Sequence, residues 1–166
     1  PLTRARASHI LSRLLEEKDA LLTLLTLLSL SHGFYTRFGA LQLLVLLVEH
    51  RRLEVQEYVR TAPGGSSSVR QCLEAAPSSS TEIIRNEALL LLPQLVRDNA
   101  DIQKIVAFEG AFERLLDIIV QEGRIEGGVV VQDALDGLDA LLLHNVSIED
   151  YFRHPLSVRR MRPIMS

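Results

Sequence analysis

Apolar residues recur along this chain at the spacing of helix faces. Ile10, Leu11, Leu14 and Leu15 fall at i, i+1, i+4 and i+5, with Arg13, Glu16, Glu17 and Lys18 on the other sides, which predicts a first helix. A second is predicted from about Asp19 to Leu30, ending near Gly33, and a third from about Thr36 to His50 with Leu41, Leu44, Val45 and Val48 inward. A short helix follows over Leu53 to Arg60. Pro63 to Ser68 reads as a loop by composition, Val69 to Ala75 as a short helix, and Pro77 to Ser80 as a second loop. Thr81 opens a long helix to about Asp98. Pro93 inside it removes one backbone hydrogen bond at a cost of about 3 kcal/mol and predicts a kink. Asp101 is expected to cap a short helix to Phe108, and Gly110 to supply a left-handed break. Ala111 to Gln121 is amphipathic, with Phe112, Leu115, Leu116 and Ile119 inward and Glu113 and Arg114 as exposed neighbours. Gly123 and Gly127-Gly128 bound a loop, after which Val129 to Leu143 and Ser147 to Phe152 read as helices. No strand is required.

These helices repeat. Val55-Gln56-Glu57-Tyr58-Val59, Ile102-Gln103-Lys104-Ile105-Val106 and Ile148-Glu149-Asp150-Tyr151-Phe152 share an apolar, polar, charged, apolar, apolar pattern at spacings of 47 and 46 residues. The long helices ahead of them share the pairs Ala40-Leu41, Ala88-Leu89 and Ala134-Leu135, spaced by 48 and 46. A near-constant period in the order long, short and third helix lies at the upper end of the range for HEAT and armadillo units. The expected fold is therefore all-α, an armadillo/HEAT-like right-handed solenoid of about three repeats over 34–76, 81–122 and 128–162, with 1–31 ending a preceding repeat. Such units bury their apolar faces only against neighbours. No polar cap is evident at either end and the chain opens on Pro1, so the expectation is part of one head domain within a longer array.

Composition agrees with helix-on-helix packing. Of 166 residues, 47% are hydrophobic and only 5% aromatic, with no Trp, so Leu, Ile, Val and Ala carry the core. The net charge of −3 lacks the basic footprint of a phosphate-tracking protein, which disfavours nucleic acid. The most apolar run, Leu21 to Leu30, is half the length a membrane span requires, and residues 1–6 do not open a signal peptide.

Candidate chemistry is sparse. His9, His32, His50, His144 and His154 show no paired spacing on one helix face, and the lone Cys72 permits neither a disulfide nor a thiolate metal cage. Ser66 to Ser68 and Ser78 to Ser80 lack a nucleophile elbow and read as linkers open to phosphorylation. Gly127-Gly128 lacks the lysine and hydroxyl of a phosphate cradle. Beside Leu73, Cys72 reads as a small apolar group. No catalytic, cofactor-binding or metal-binding residue is therefore assigned, and no cofactor is expected. The basic tail, Arg153, Arg159, Arg160 and Arg162, is the strongest local charge feature and reads as a solvated end.

The run from Ile102 to Ile119, Ile-Gln-Lys-Ile-Val-Ala-Phe-Glu-Gly-Ala-Phe-Glu-Arg-Leu-Leu-Asp-Ile-Ile, resembles a signature of the general vesicular transport factor family, the long Golgi tethers with an armadillo-like head and a coiled-coil tail. It differs from the family pattern at Gly110, where Asn is expected; both tolerate a left-handed helix end. Ile84-Arg85-Asn86 and Leu89 to Leu92 before it, and Glu122-Gly123, Gly127 to Val131 and Asp133 after it, extend the match over 81–133. Phe34 to Val59 and Leu135 to Met161 match weakly, and the loop near Gly64 and the helix around Asp136 to Asp139 depart from the pattern. The resemblance implies a non-enzymatic cytoplasmic protein peripheral to Golgi and transport-vesicle membranes. Such a protein tethers vesicles between the endoplasmic reticulum and the Golgi and binds a Rab-type small GTPase. SNAREs and golgins would be engaged through other parts of the full-length protein, which would homodimerise through a coiled coil absent from this sequence.

In an armadillo array the third helices are expected to line the inner groove, so their outward residues Arg70 and Glu74, then Glu113, Arg114, Asp117 and Gln121, form the candidate partner-binding face. The competing function is a helical-repeat interaction scaffold unrelated to vesicle tethering.

Overall fold

The computed structural model describes residues 9–153 apart from Leu11, Lys18, Pro63 and 75–78. His154, the tail arginines Arg159, Arg160 and Arg162, the loop residues Pro77 and Ser78, and the end of the third expected repeat lie outside the described residues. Residues 9–10 and 12–16 are helical. The helices that follow are α1 (Ala20–Leu27), α2 (Phe34–Thr61), α3 (Gly65–Leu73), α4 (Ser79–Val96), α5 (Ala100–Val106), α6 (Phe112–Gln121), α7 (Val129–Leu142) and α8 (Val146–Arg153). There is no strand among the described residues.

Helix α2 is two helices joined at Arg51, whose φ of −140° and ψ of 44° leave the helical region, so the break expected between His50 and Leu53 is present as a bend. Its long arm packs against α4, and α4 against α7, so the long helices stack side by side. Helix α3 fits against α4, and α6 against α7. The alanine anchors explain the close stacking: Ala40, Ala88 and Ala134 are all buried, and a methyl group lets neighbouring backbones approach. Between them Leu41, Leu44, Leu47, Leu89, Leu92, Leu95 and Leu141 are fully buried, each contributing about 2 kcal/mol of transfer free energy. Leu135, the partner of Ala134, is instead 43% exposed, because the apolar stripe of α7 runs through Val131, Ala134, Leu138 and Leu141.

Several boundaries differ from the sequence reading. Ser66 to Ser68 are not a linker but the first turn of α3, which starts at Gly65 after a left-handed Gly64 with φ of 75°. The Ser68 hydroxyl donates back to the Gly64 carbonyl at 2.9 Å, inside the turn. Ser79 and Ser80 likewise belong to α4. That helix runs from Ser79 to Val96 as one element with Pro93 inside it. The cap of α5 is Asn99, whose side chain accepts from the Ile102 amide at 3.1 Å; Asp101 lies two residues on, within the first turn. Gly110 is left-handed as expected, with φ of 95°, inside a wide turn over Ala107–Ala111.

Two sets of buried polar joints hold the stack together, the first between successive units and the second mainly within a unit. In the first, Gln56 Nε2 donates to the carbonyls of Leu95 and Arg97 at 2.7 and 2.8 Å, and Asn99 Nδ2 donates to Gln56 Oε1. One unit on, Gln103 Nε2 donates to the carbonyls of Ala140 and Leu143, and Asn145 Nδ2 donates to Gln103 Oε1 at 3.0 Å. Carbonyls that a helix end leaves unpaired are thereby satisfied inside the core. In the second set arginines reach the ends of the third helices. Arg37 donates to the carbonyls of Leu28 and Gln71, and buried Arg85 pairs with Glu122 at 2.7 Å.

Candidate partner-binding face

Helix α3 starts where it does because its first residue has no side chain. A Cβ on Gly65 would stand 2.6 Å from the Val59 carbonyl oxygen, so the chain turns tightly from α2 into α3 only with glycine there. The turn places Ser67 against the next unit, its hydroxyl donating to Glu109 Oε2 at 3.1 Å. Three residues on, Arg70 pairs with Glu74 along the helix, and its stem passes beside Gly110.

Helix α6 presents its candidate residues on the neighbouring unit. Arg114 is not a free surface cation as its place opposite the apolar stripe suggested: its Nε donates to the Leu73 carbonyl at 3.0 Å, closing the C-terminal end of α3. Its long stem crosses the gap between the two helices to reach a carbonyl at that helix end. Glu113 is also half-buried rather than exposed. Arg70, Glu74 and Arg114 therefore gather around the end of α3, while Asp117 and Gln121 stand exposed on α6. The structure thus divides the six residues into a partly buried group at the end of α3 and an exposed acid and amide on α6.

Among the described residues no group of three His, Cys, Asp or Glu could hold a metal ion. Cys72, one turn from Ser68, is buried, and burial pushes its thiol up to about 12, so it stays protonated and packs as a small apolar group. No helix of the described residues is long and apolar enough to cross a membrane.

A cleft of about 540 Å³ lies elsewhere, between the C-terminal ends of α4 and α7, with Arg97 on one wall and Asp136 and Asp139 on the other. Sequence reasoning did not find it. In the structure the ends of both long helices beside it are marked by Asp98 and His144, non-glycine residues with φ of 56° and 59° just ahead of Asn99 and Asn145.

No protein-family model matches the chain. It is 40% identical over 149 residues, 90% of its length, to the general vesicular transport factor p115 of Bos taurus, and equally so to that of Homo sapiens. It is 35% identical over 139 residues, 83% of its length, to the intracellular protein transport protein uso1 of Schizosaccharomyces pombe, of which it covers 13%. The structure aligns with the crystal structure of Uso1-2 at a TM-score of 0.84 and 30% identity, covering 95% of this chain and 22% of that one. The chain is a homologue of the p115/Uso1 vesicular transport factors. It spans 15% of the length of the p115 relatives it matches. The armadillo-like helical fold is accordingly that of the p115/Uso1 factors, and the Ile102 to Ile119 run sits in it as α5, the left-handed turn at Gly110 and α6.

Proposed function

We propose that this p115/Uso1 homologue is a non-enzymatic adaptor domain for vesicle tethering in transport from the endoplasmic reticulum to the Golgi and within the Golgi. It presents a rigid repeat surface to a Rab-type small GTPase on a peripheral, cytoplasmic face of Golgi and vesicle membranes. SNAREs and golgins are engaged by other parts of the longer protein, which dimerises through a coiled coil outside this sequence. The observation that carries the reading is 40% identity over 90% of the chain to a factor named for vesicular transport. The buried Gln and Arg joints support it physically, since a surface held rigid before binding loses little ordering entropy on contact.

The face around Arg70, Glu74, Glu113, Arg114, Asp117 and Gln121 is the proposed GTPase contact. Because Arg114 also closes α3, the test uses the exposed pair. Reversing Asp117 and adding a lysine at Gln121 should weaken binding of a nucleotide-loaded Golgi Rab roughly tenfold, about 1.4 kcal/mol, with the helical spectrum unchanged. Titration of the double variant against a panel of loaded GTPases measures this. Undiminished binding would place the contact elsewhere, and no binding by the unaltered chain to any of them would move the GTPase role to other parts of the protein.

A further inference from the structure

The early turns of the long helices leave large apolar side chains in solvent at equivalent places. Tyr35 in α2, Ile83 in α4 and Val129 in α7 are 48 and 46 residues apart, the spacing of the buried alanine anchors. They are 86%, 46% and 75% exposed. Single exposed apolar residues need no explanation, but one recurring in each of three stacked units does. The long helices pack directly on one another, and Leu92 of α4 lies opposite Gly137 of α7, 3.4 Å from where a Cβ would stand. Counting back eight or nine residues from that contact brings Val129 level with Ile83. The three side chains thus form a row across the stack, with neighbours about 8–10 Å apart, the usual distance between packed helix axes.

A second row runs beside it. Glu87 and Asp133 follow Ile83 and Val129 by four residues, about 6 Å away on the same helix face, while Gly39 holds that place in α2. Neither carboxylate is in an ion pair among the described residues.

We propose that this double row docks an amphipathic α-helix of a partner, lying across the long helices, with apolar anchors every seven residues and Lys or Arg along one flank. Seven residues of α-helix advance about 10.5 Å and return to within about 20° of the same side, which matches the row; a spacing of three or four residues, about 5 Å, does not. Glu87 and Asp133, half-buried carboxylates with no ion pair among the described residues, set the charge of the flank that meets them. This surface is separate from the α3 and α6 face and takes a partner of different chemistry from a folded GTPase.

The test titrates the 166-residue chain against labelled 18-residue helical peptides by fluorescence anisotropy. One peptide carries Leu at positions 2, 9 and 16 with lysines along one flank; a second has the same composition with the leucines moved together. The first should bind roughly tenfold or more tighter. The double variant Ile83→Gln, Val129→Gln should lose that binding by a similar factor with an unchanged helical spectrum, because neither side chain belongs to the core. Glu87→Gln with Asp133→Asn should weaken it and remove most of its salt dependence. Equal binding of both peptides, no binding of the first, or undiminished binding by the Ile83 and Val129 variant would overturn the proposal. Tighter binding of a proline-containing extended peptide with Leu at every third position would overturn it in favour of an extended partner.

Discussion

Asn99 and Gln56 meet 43 residues apart in sequence, the Asn99 amide donating to Gln56 Oε1 at 3.3 Å while its own oxygen caps α5. Asn145 and Gln103 repeat the arrangement 42 residues apart. Each pair is fully hydrogen-bonded in a site where an unpaired amide would be costly, so the joint specifies which helix end sits against which.

Gln103→Ala should therefore cost more than loss of a surface glutamine. It takes the side-chain donor away from the Ala140 and Leu143 carbonyls and leaves the Asn145 amide with the Ala100 carbonyl as its one remaining acceptor, a penalty of about 1–3 kcal/mol. Urea denaturation should show the loss, and Gln132→Ala on the exposed side of α7 should stay within about 0.5 kcal/mol.

Phe112 is 1% exposed and stacks on Phe152 of the following short helix. Phe112→Ala should lower stability by about 3–5 kcal/mol through lost transfer energy and the cavity it leaves. A thermal melt is the check; an unchanged midpoint would contradict its place between units.

The Arg85 side chain is 5% exposed and its partner Glu122 32%. Removing Glu122 by Glu122→Ala strands a buried guanidinium and should cost a few kcal/mol. Glu149→Ala, which breaks the exposed pair with Arg153, should cost less than about 1 kcal/mol. The ratio of the two losses in chemical denaturation separates buried from surface pairing.

Burial raises the Cys72 thiol from 9.0 to about 12 in the folded chain. A thiol reagent at pH 8 should leave the native protein largely unmodified and label it fully in denaturant. The folded state holds this proton when the unfolded chain has released it, so the thiol's contribution to stability is full below pH 9 and falls as pH rises from about 9 to about 12. A denaturation series across that window in the Cys72→Ala background should lack this component.

The long helices were legible in the sequence because Ile84, Ala88, Leu91, Leu92 and Leu95 alone define a helical face, and the repeat was legible because Ala40, Ala88 and Ala134 sit at one depth. What the chain does not advertise is the fate of polar residues. Gln56 and Gln103 stood in the shared pattern as polar positions, yet both are buried, and only contacts with carbonyls about forty residues away explain it. Arg114 reads as a surface cation from its position on α6, and its bond to Leu73 depends on where α3 ends. Ser66 to Ser68 misled by composition, since the glycine that lets α3 begin acts through a close approach to Val59 that local propensity does not encode. The sequence therefore offered the six candidate residues as one exposed set, and it did not show that Arg70, Glu74 and Arg114 are partly buried around the end of α3 while Asp117 and Gln121 are exposed.

The polar links between units share a limit on reach. The bonds made by Gln56, Gln103, Asn99, Asn145 and Arg114 to neighbouring units span between 37 and 45 residues, less than one period. None of these bonds joins a unit to the next but one, so each joint carries mechanical load on its own. Pulled from its ends, such a chain gives way joint by joint. A unit of 46 or 47 residues then pays out on the order of 150 Å of extended chain, while its neighbours keep their shape. A chain held at both ends would in this way yield in steps and leave the surfaces on its intact units undistorted.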